Sequence, residues 1–275
     1  MKTAWMTVFL TLAVGHATGG ELANGWQALA GYRAGQALGV FDPQQNATDP
    51  GLAREARFGH AVALLDHQPV SGAELAEAQR VFTAMAESGT DDFAQGARFF
   101  LGRIAQHHLA EPDAVEASRQ FRRLIKEHVN SVWAQSALSR LALLEIYALS
   151  PDSAPAGRIA AAENLVASAR TPAAKCEVHY VIATAILFYR LPGAGALPHL
   201  VAAERLNRLG WSERTEVLVQ IAELSRLSGH QEQAAEYYQK FLTENPRDQR
   251  HYIIQQRLEQ LQAAGVALSA NAAKL

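Results

Sequence analysis

The sequence contains little cysteine and no excess of either charge. Cys176 is the one cysteine in 275 residues, so no intrachain disulfide can form and stability has to come from packing. The formal net charge is −2, and 19% of the residues are charged. Because proteins that bind nucleic acid carry basic patches, we expect no nucleic-acid partner. No apolar run reaches the roughly 20 residues that a membrane-spanning helix needs, so we expect no membrane span.

Common catalytic motifs are also lacking. The sequence has no Gly-x-Ser-x-Gly elbow, no His-Glu-x-x-His pair, no phosphate-binding loop and no dinucleotide-binding fingerprint. Cys176 and His179 are three residues apart on one helix face and would supply two metal ligands at most. We interpret them as a packed thiol beside a surface histidine, and keep a metal carrier as a hypothesis. The sequence therefore predicts no enzyme, no cofactor and no metal centre.

The N-terminus has the pattern of a secretory signal. Lys2 precedes an apolar run of ten residues from Trp5 to Val14, and small residues then lead to Ala17. We therefore expect a signal peptide over 1–17 and a mature chain that begins near Thr18. Because no cysteine lies near that cleavage site, no lipid anchor is expected. These features predict a periplasmic or secreted protein.

Two short patterns repeat along the chain. A large apolar residue followed directly by a small one recurs at gaps of 43, 40, 41 and 39 residues. The pairs are Phe58-Gly59, Leu101-Gly102, Leu141-Ala142, Ile182-Ala183 and Ile221-Ala222. Each is followed by a small residue with bulkier or apolar residues four and seven positions later, on one helix face. These triplets are Ala78-Phe82-Met85, Ala117-Phe121-Leu124, Ala162-Val166-Ala169, Ala196-Leu200-Ala203 and Ala234-Tyr238-Phe241.

The repetition predicts stacked helical hairpins. The small residue of each pair would let one helix approach its partner closely, while the bulky residues would fill the space toward the next hairpin. One hairpin cannot bury its apolar face alone, so several have to stack. An ordinary helical bundle with chance self-similarity is the alternative.

The last repeat carries a resemblance to a known family. Residues of the segment Leu218 to Pro246 fall at the spacing of the tetratricopeptide repeat (TPR), namely Ile221, Ala222, Gly229, Ala234, Tyr238, Phe241 and Pro246. The segment 121–138 resembles the repeats of the periplasmic outer-membrane assembly lipoprotein and the Tol–Pal coordinator, although Val129 stands where those repeats have proline. The resemblance covers about residues 52–262.

The repeat pattern and the resemblance together imply a fold. We expect an all-α protein, a right-handed superhelical array of antiparallel helix pairs of the TPR-like α-solenoid type. One repeat domain would span 18–263 and a disordered tail 264–275. The predicted elements are an opening helix over 24–41, hairpins over 52–88, 92–128, 131–170, 173–208 and 213–244, and a capping helix over 248–263.

The resemblance also implies where a partner would bind. The first helices of TPR-like pairs line the concave surface, which here implies a groove of His60, Phe99, Arg103, Gln106, His107, Val219, Glu223 and Arg226. Phe99, Arg103 and His107 are four residues apart in turn, so we expect Phe99 to anchor a peptide and Arg103 to meet a carboxylate. In the alternative, Phe99 belongs to the core and Arg103 is solvated.

These observations lead to a functional expectation. We predict an exported scaffold or adaptor that binds a protein or peptide of the cell envelope without catalysing a reaction. The alternative is a helical arm or accessory subunit of an enzyme that processes the cell wall.

Overall fold

The regular elements are helical, as predicted, throughout the part of the chain that a computed structural model describes, which is residue 20 and residues 22–266. The predicted signal peptide and positions 267–275 of the predicted tail lie outside these residues. The described α-helices are α1 Ala23–Ala30, α2 Ala34–Phe41, α3 Pro50–Asp66, α4 Gly72–Glu87, α5 Asp92–Arg103, α6 Ala114–Glu127, α7 Val132–Tyr147, α8 Pro155–Glu163, α9 Pro172–Phe188, α10 Gly193–Arg205, α11 Trp211–Leu227, α12 Gln231–Glu244 and α13 His251–Ala263. Short 3₁₀ turns span Asp42–Gln44 and Asn164–Ser168, and a π-helical turn spans Ile104–His108. None of the described helices is long and apolar enough to cross a bilayer.

The helices group into two compact units that divide between Leu144 and Glu145, within α7. In unit 1, the N-terminal one, each helix from α2 to α6 packs on the helix before it, and α3 also contacts α1 and α5. In unit 2, helices α8 to α13 each pack on the next. Sequential packing of neighbouring helices, which the repeat predicts, is therefore present in both units. That the whole span 18–263 is one domain stays a prediction.

Side-chain caps fix where several helices begin. Ser71 and Glu74 form a reciprocal capping box at the start of α4. The Asp91 carboxylate accepts a 2.8 Å hydrogen bond from the Ala94 amide at the start of α5. These caps satisfy amides that have no partner within their own helix.

The opening segment differs from its prediction as one helix over 24–41. The chain turns between α1 and α2 at Tyr32, whose φ is 57°, so two short helices form and pack on each other. In a single straight helix Trp26 and Phe41 would lie about 22 Å apart along the axis. In the structure their ring centroids are 5.1 Å apart. The turn therefore allows both rings to enter one core.

Two glycines explain the large–small pairs. A Cβ atom at Gly59 would lie 2.5 Å from the Phe41 ring, and one at Gly102 would lie 2.5 Å from the Phe121 ring. Each glycine thus provides space for a ring from a neighbouring helix. The close approach that the pairs predict is present here, although the Gly59 contact is with the preceding hairpin's helix rather than with α4.

Candidate functional site

The predicted peptide-binding stripe of Phe99, Arg103 and His107 contains both buried and exposed side chains. Phe99 is 6% exposed, and its ring lies 5.5 Å from Trp133 and 5.8 Å from Phe121 between centroids. Arg103 is also buried, whereas His107 is exposed. Phe99 is therefore a core residue, as in the alternative interpretation, and is not an exposed anchor.

A π-helical turn is the local cause of this division. Regular α-helix ends at Arg103, and the chain continues through the wider turn Ile104–His108. Residues four apart stay on one line only while the helix has about 3.6 residues per turn. The turn thus separates His107 from the stripe of Phe99 and Arg103. No apolar periodicity in the sequence marks this change.

Arg103 belongs to a charged cluster that the sequence did not identify. Burial lowers the pKa of its guanidinium. The nearby Arg140 lowers that pKa further, whereas Asp66 raises it. Burial in turn raises the pKa of Asp66, which Arg103 lowers. Arg103 also lies 5.6 Å from the Phe100 ring centroid. Because it is 6% exposed, Arg103 cannot meet a partner's carboxylate without rearrangement.

The other predicted residues of α5 and its π turn lie beside this cluster. Gln106 is half-buried. Burial lowers the pKa of His107, and Arg140 and Arg103 lower it further. The neighbouring His108 has its pKa lowered to about 4, first by burial and then by Arg103 and His107. These imidazoles are therefore neutral at pH 7 and add no positive charge to the cluster.

His60, the first predicted groove residue, makes an intramolecular contact. Its side chain is 13% exposed, and its Nε2 lies 2.9 Å from Oδ1 of Asp42. The contact joins α3 to the 3₁₀ turn that precedes it. His60 therefore positions the turn that lines one side of the cavity described below.

The predicted groove residues of unit 2 also have intramolecular partners. Val219 is half-buried. Arg226 donates to Oε2 of Glu223 at 3.0 Å. The Glu223 carboxylate also accepts from the Tyr238 hydroxyl and pairs with Arg257 on α13. Glu223 thus links α11 to α12 and to α13, and both oxygens of its carboxylate already accept hydrogen bonds from these side chains.

A cavity of about 740 Å³ lies in unit 1, away from the buried stripe. The 3₁₀ turn Asp42–Gln44 and the residues after it form one side, and the first half of α3 and the second half of α4 form the others. Its lining residues are Asp42, Gln45, Asn46, Pro50, Arg54, Arg57, Arg80, Val81, Ala84, Met85 and Ser88. The lining therefore combines three guanidinium groups with three apolar side chains of α4.

Two of these arginines already hold carboxylates. Arg54 makes a two-point contact with Asp91, at 2.8 and 3.0 Å, and reaches Ser88 at 3.2 Å. Arg80 makes a two-point contact with Glu77, at 2.8 and 2.6 Å. Both pairs lie at the surface, where such a pair contributes about 1 kcal/mol or less to stability. Their main consequence here is to hold the cavity rim in place.

Cys176 and His179 do not combine into a metal site. Cys176 is 1% exposed, its Sγ lies 3.4 Å from the carbonyl oxygen of Ala203, and burial raises its pKa to about 11. The thiol is therefore protonated at neutral pH. His179 instead contacts His199, with 2.9 Å between their Nδ1 atoms. Within the described residues, no three histidine, cysteine, aspartate or glutamate side chains are arranged to hold a metal ion.

Comparison with known proteins gives no assignment. No protein-family model matches the chain, and no curated protein matches it with a significant score.

Proposed function

We propose that this protein is an exported TPR-like scaffold or adaptor that binds a protein or peptide partner in the cell envelope and catalyses no reaction. The secretory pattern at the N-terminus and the repeat spacing support export and an array of hairpins. Sequential packing within each unit is the arrangement that a right-handed α-solenoid would require.

The cavity of unit 1 is the observation that carries this proposal. Its volume of about 740 Å³ is within the range of about 300–1,000 Å³ that is usual for ligand sites. Its lining combines arginine side chains with apolar side chains of α4, among which Ala84 is exposed and Val81 and Met85 are 7% and 5% exposed. A peptide presents both kinds of group on adjacent side chains.

A reconstituted interaction tests the binding function. The tagged full chain would be crosslinked in an envelope extract, and each recovered protein would then be purified and titrated against the chain by calorimetry. We expect one partner to bind with defined stoichiometry and to crosslink to α3 or α4. If no recovered protein binds in purified form, the scaffold function is wrong. If the partner is a cell-wall-processing enzyme whose turnover this chain raises, the accessory-subunit alternative replaces the proposal.

Mass spectrometry of the protein from its native host tests export. We expect the envelope fraction to contain a mature chain that begins near Thr18. A cytoplasmic chain that retains the intact segment 1–17 would contradict this part of the proposal.

A further inference from the structure

Arg57 is the cavity arginine that differs from the other two. Its Nε donates to the backbone oxygen of Gln45 at 2.9 Å, which orients the guanidinium plane. Unlike Arg54 and Arg80, it has no carboxylate partner among the described residues. Two terminal nitrogens of a guanidinium held in this way are placed for two-point contact with a carboxylate.

The remaining polar lining does not neutralise this charge. Asp42 is the one carboxylate that lines the cavity, and it accepts from Gln45 at 3.0 Å and contacts His60 at 2.9 Å. Arg54 and Arg80 are neutralised by Asp91 and Glu77, so the positive charge that stays without a carboxylate partner among the described residues of the lining is that of Arg57. An incoming anion is therefore favoured over a cation.

The apolar side chains of α4 in the lining favour an apolar neighbour of that anion. Ala84 is exposed and lies between Val81 and Met85, which are 7% and 5% exposed. An aliphatic side chain placed here would cover the Ala84 methyl group and bury its own apolar area, at about 25 cal/mol per Å². The lining thus has one place for a carboxylate and an adjacent place for an aliphatic group.

We propose that this cavity binds an acidic segment of the partner protein, with a glutamate or aspartate carboxylate on Arg57 and the next aliphatic side chain on Val81, Ala84 and Met85. The inference rests on the proposed function, because it names the chemistry of the partner's bound segment. The side-chain amide of Asn46 lies in the same lining and is available to the segment's backbone.

Labelled peptides and the purified full chain test the ligand chemistry. The probe is an eight-residue peptide, blocked at both ends, that carries one glutamate followed by leucine among glycine and serine. Fluorescence anisotropy would compare it with a peptide that has glutamine for glutamate and a peptide that has serine for leucine. We expect each change to weaken binding by about tenfold, since each removes one of the two contacts.

Variants of the chain test the place of binding. Arg57→Gln should weaken binding of the probe about tenfold, and Arg57→Lys should do so by less, because lysine keeps the charge but loses the two-point contact. Ala84→Glu places a competing carboxylate at an exposed helix position and should abolish binding while leaving the circular dichroism unchanged. Arg247→Gln is the matched control, because Arg247 is exposed and lies in unit 2. This substitution changes the net charge by the same amount as Arg57→Gln.

Several results would overturn the inference. Equal binding of the glutamate and glutamine peptides, or equal binding to wild type and Arg57→Gln, excludes carboxylate recognition at Arg57. Displacement by acetate or inorganic phosphate that does not depend on leucine shows a simple anion site instead. Binding only of a peptide with a free C-terminus shows that the occupant is a chain end.

Failure here is distinguishable from failure of the scaffold function. If a purified envelope partner binds wild type and Arg57→Gln equally, the function stands and this inference is wrong. If the partner's binding falls about tenfold with Arg57→Gln and is kept with Arg247→Gln, both are supported.

Discussion

Units 1 and 2 hold similar helix pairs together by different interactions. In unit 1 the Phe58 ring lies 5.4 to 6.2 Å, between centroids, from five other aromatic rings, which belong to Trp26, Phe82, Phe93, Phe100 and Trp133. Such pairs add about 0.5–1.5 kcal/mol each beyond the area they bury. Close packing of rings leaves little room for any added volume.

In unit 2 a buried carboxylate joins three helices. The Glu204 carboxylate on α10 is 4% exposed and lies 2.7 Å from Nζ of Lys240 and 3.0 Å from Arg214. The Tyr237 hydroxyl donates to it at 3.3 Å. Three helices therefore meet at one carboxylate. The ring cluster of unit 1 should be sensitive to added volume, and the Glu204 group of unit 2 to the loss of one of its charged members.

The largest expected effect is in unit 1. Ala117 on α6 is fully buried, so Ala117→Arg forces a long cation into a close helix contact and should lower the free energy of unfolding by about 3 kcal/mol or more. Chemical denaturation would measure this. Val115→Arg is the control on the same helix, since Val115 is 73% exposed and should change stability by about 0.5 kcal/mol or less. Unchanged unfolding of Ala117→Arg would contradict the packing of α6.

A comparable effect in unit 2 should need no change in volume. Glu204→Gln keeps the shape but leaves Lys240 and Arg214 against a neutral amide, which should cost about 2–3 kcal/mol. Glu236→Gln on exposed α12 surface is the control. Segment-resolved hydrogen exchange should show faster exchange in α10 to α12 and little change in unit 1. Equal protection of α10 to α12 in Glu204→Gln and Glu236→Gln would contradict the stabilising role of the Glu204 group.

A smaller effect tests the glycine contact of unit 1. Gly102→Ala would place a methyl group 2.5 Å from the Phe121 ring and should destabilise the chain by about 1–2 kcal/mol. Gly39→Ala has no atom within 4 Å and should stabilise α2 by up to about 1 kcal/mol, because alanine is the better helix former. Thermal unfolding of the two variants should therefore shift in opposite directions. A shared direction would contradict the proposed role of Gly102.

The smallest expected effect is a pH dependence in unit 2. Burial, then His199 and Lys175, lower the pKa of His179 below 6.5, while Glu163 lies 3.4 Å from the far side of His199. As the pH falls, the unfolded chain binds a proton at His179 before the folded chain does. The contribution of neutral His179 to stability is therefore present above about pH 6.5 and declines as the pH falls below that value. His179→Gln should reduce the loss of Tm between about pH 7.5 and about pH 5.5, whereas exposed His230→Gln should not. Parallel pH profiles for all three chains would refute this assignment.

The sequence predicted the helical class and the sequential packing because both depend on apolar periodicity. It also predicted close approach at Gly59 and Gly102, since a glycine beside a large apolar residue inside a helix has few other uses. The binding residues were less predictable. The π turn after Arg103 and the two-helix opening at Tyr32 arise from tertiary packing, which leaves no periodic trace. Arg57 is one of many surface arginines in the sequence, and only its contact with the Gln45 backbone distinguishes it.

The close contact between the Phe121 ring and Gly102 has a mechanical consequence. One helical turn before Gly102, the same face of α5 carries Arg98, whose side chain is far larger than a hydrogen atom. If α6 slid along α5 by a turn toward Arg98, the ring would collide with that side chain. The contact therefore opposes sliding in that direction and helps to fix the axial register of this hairpin.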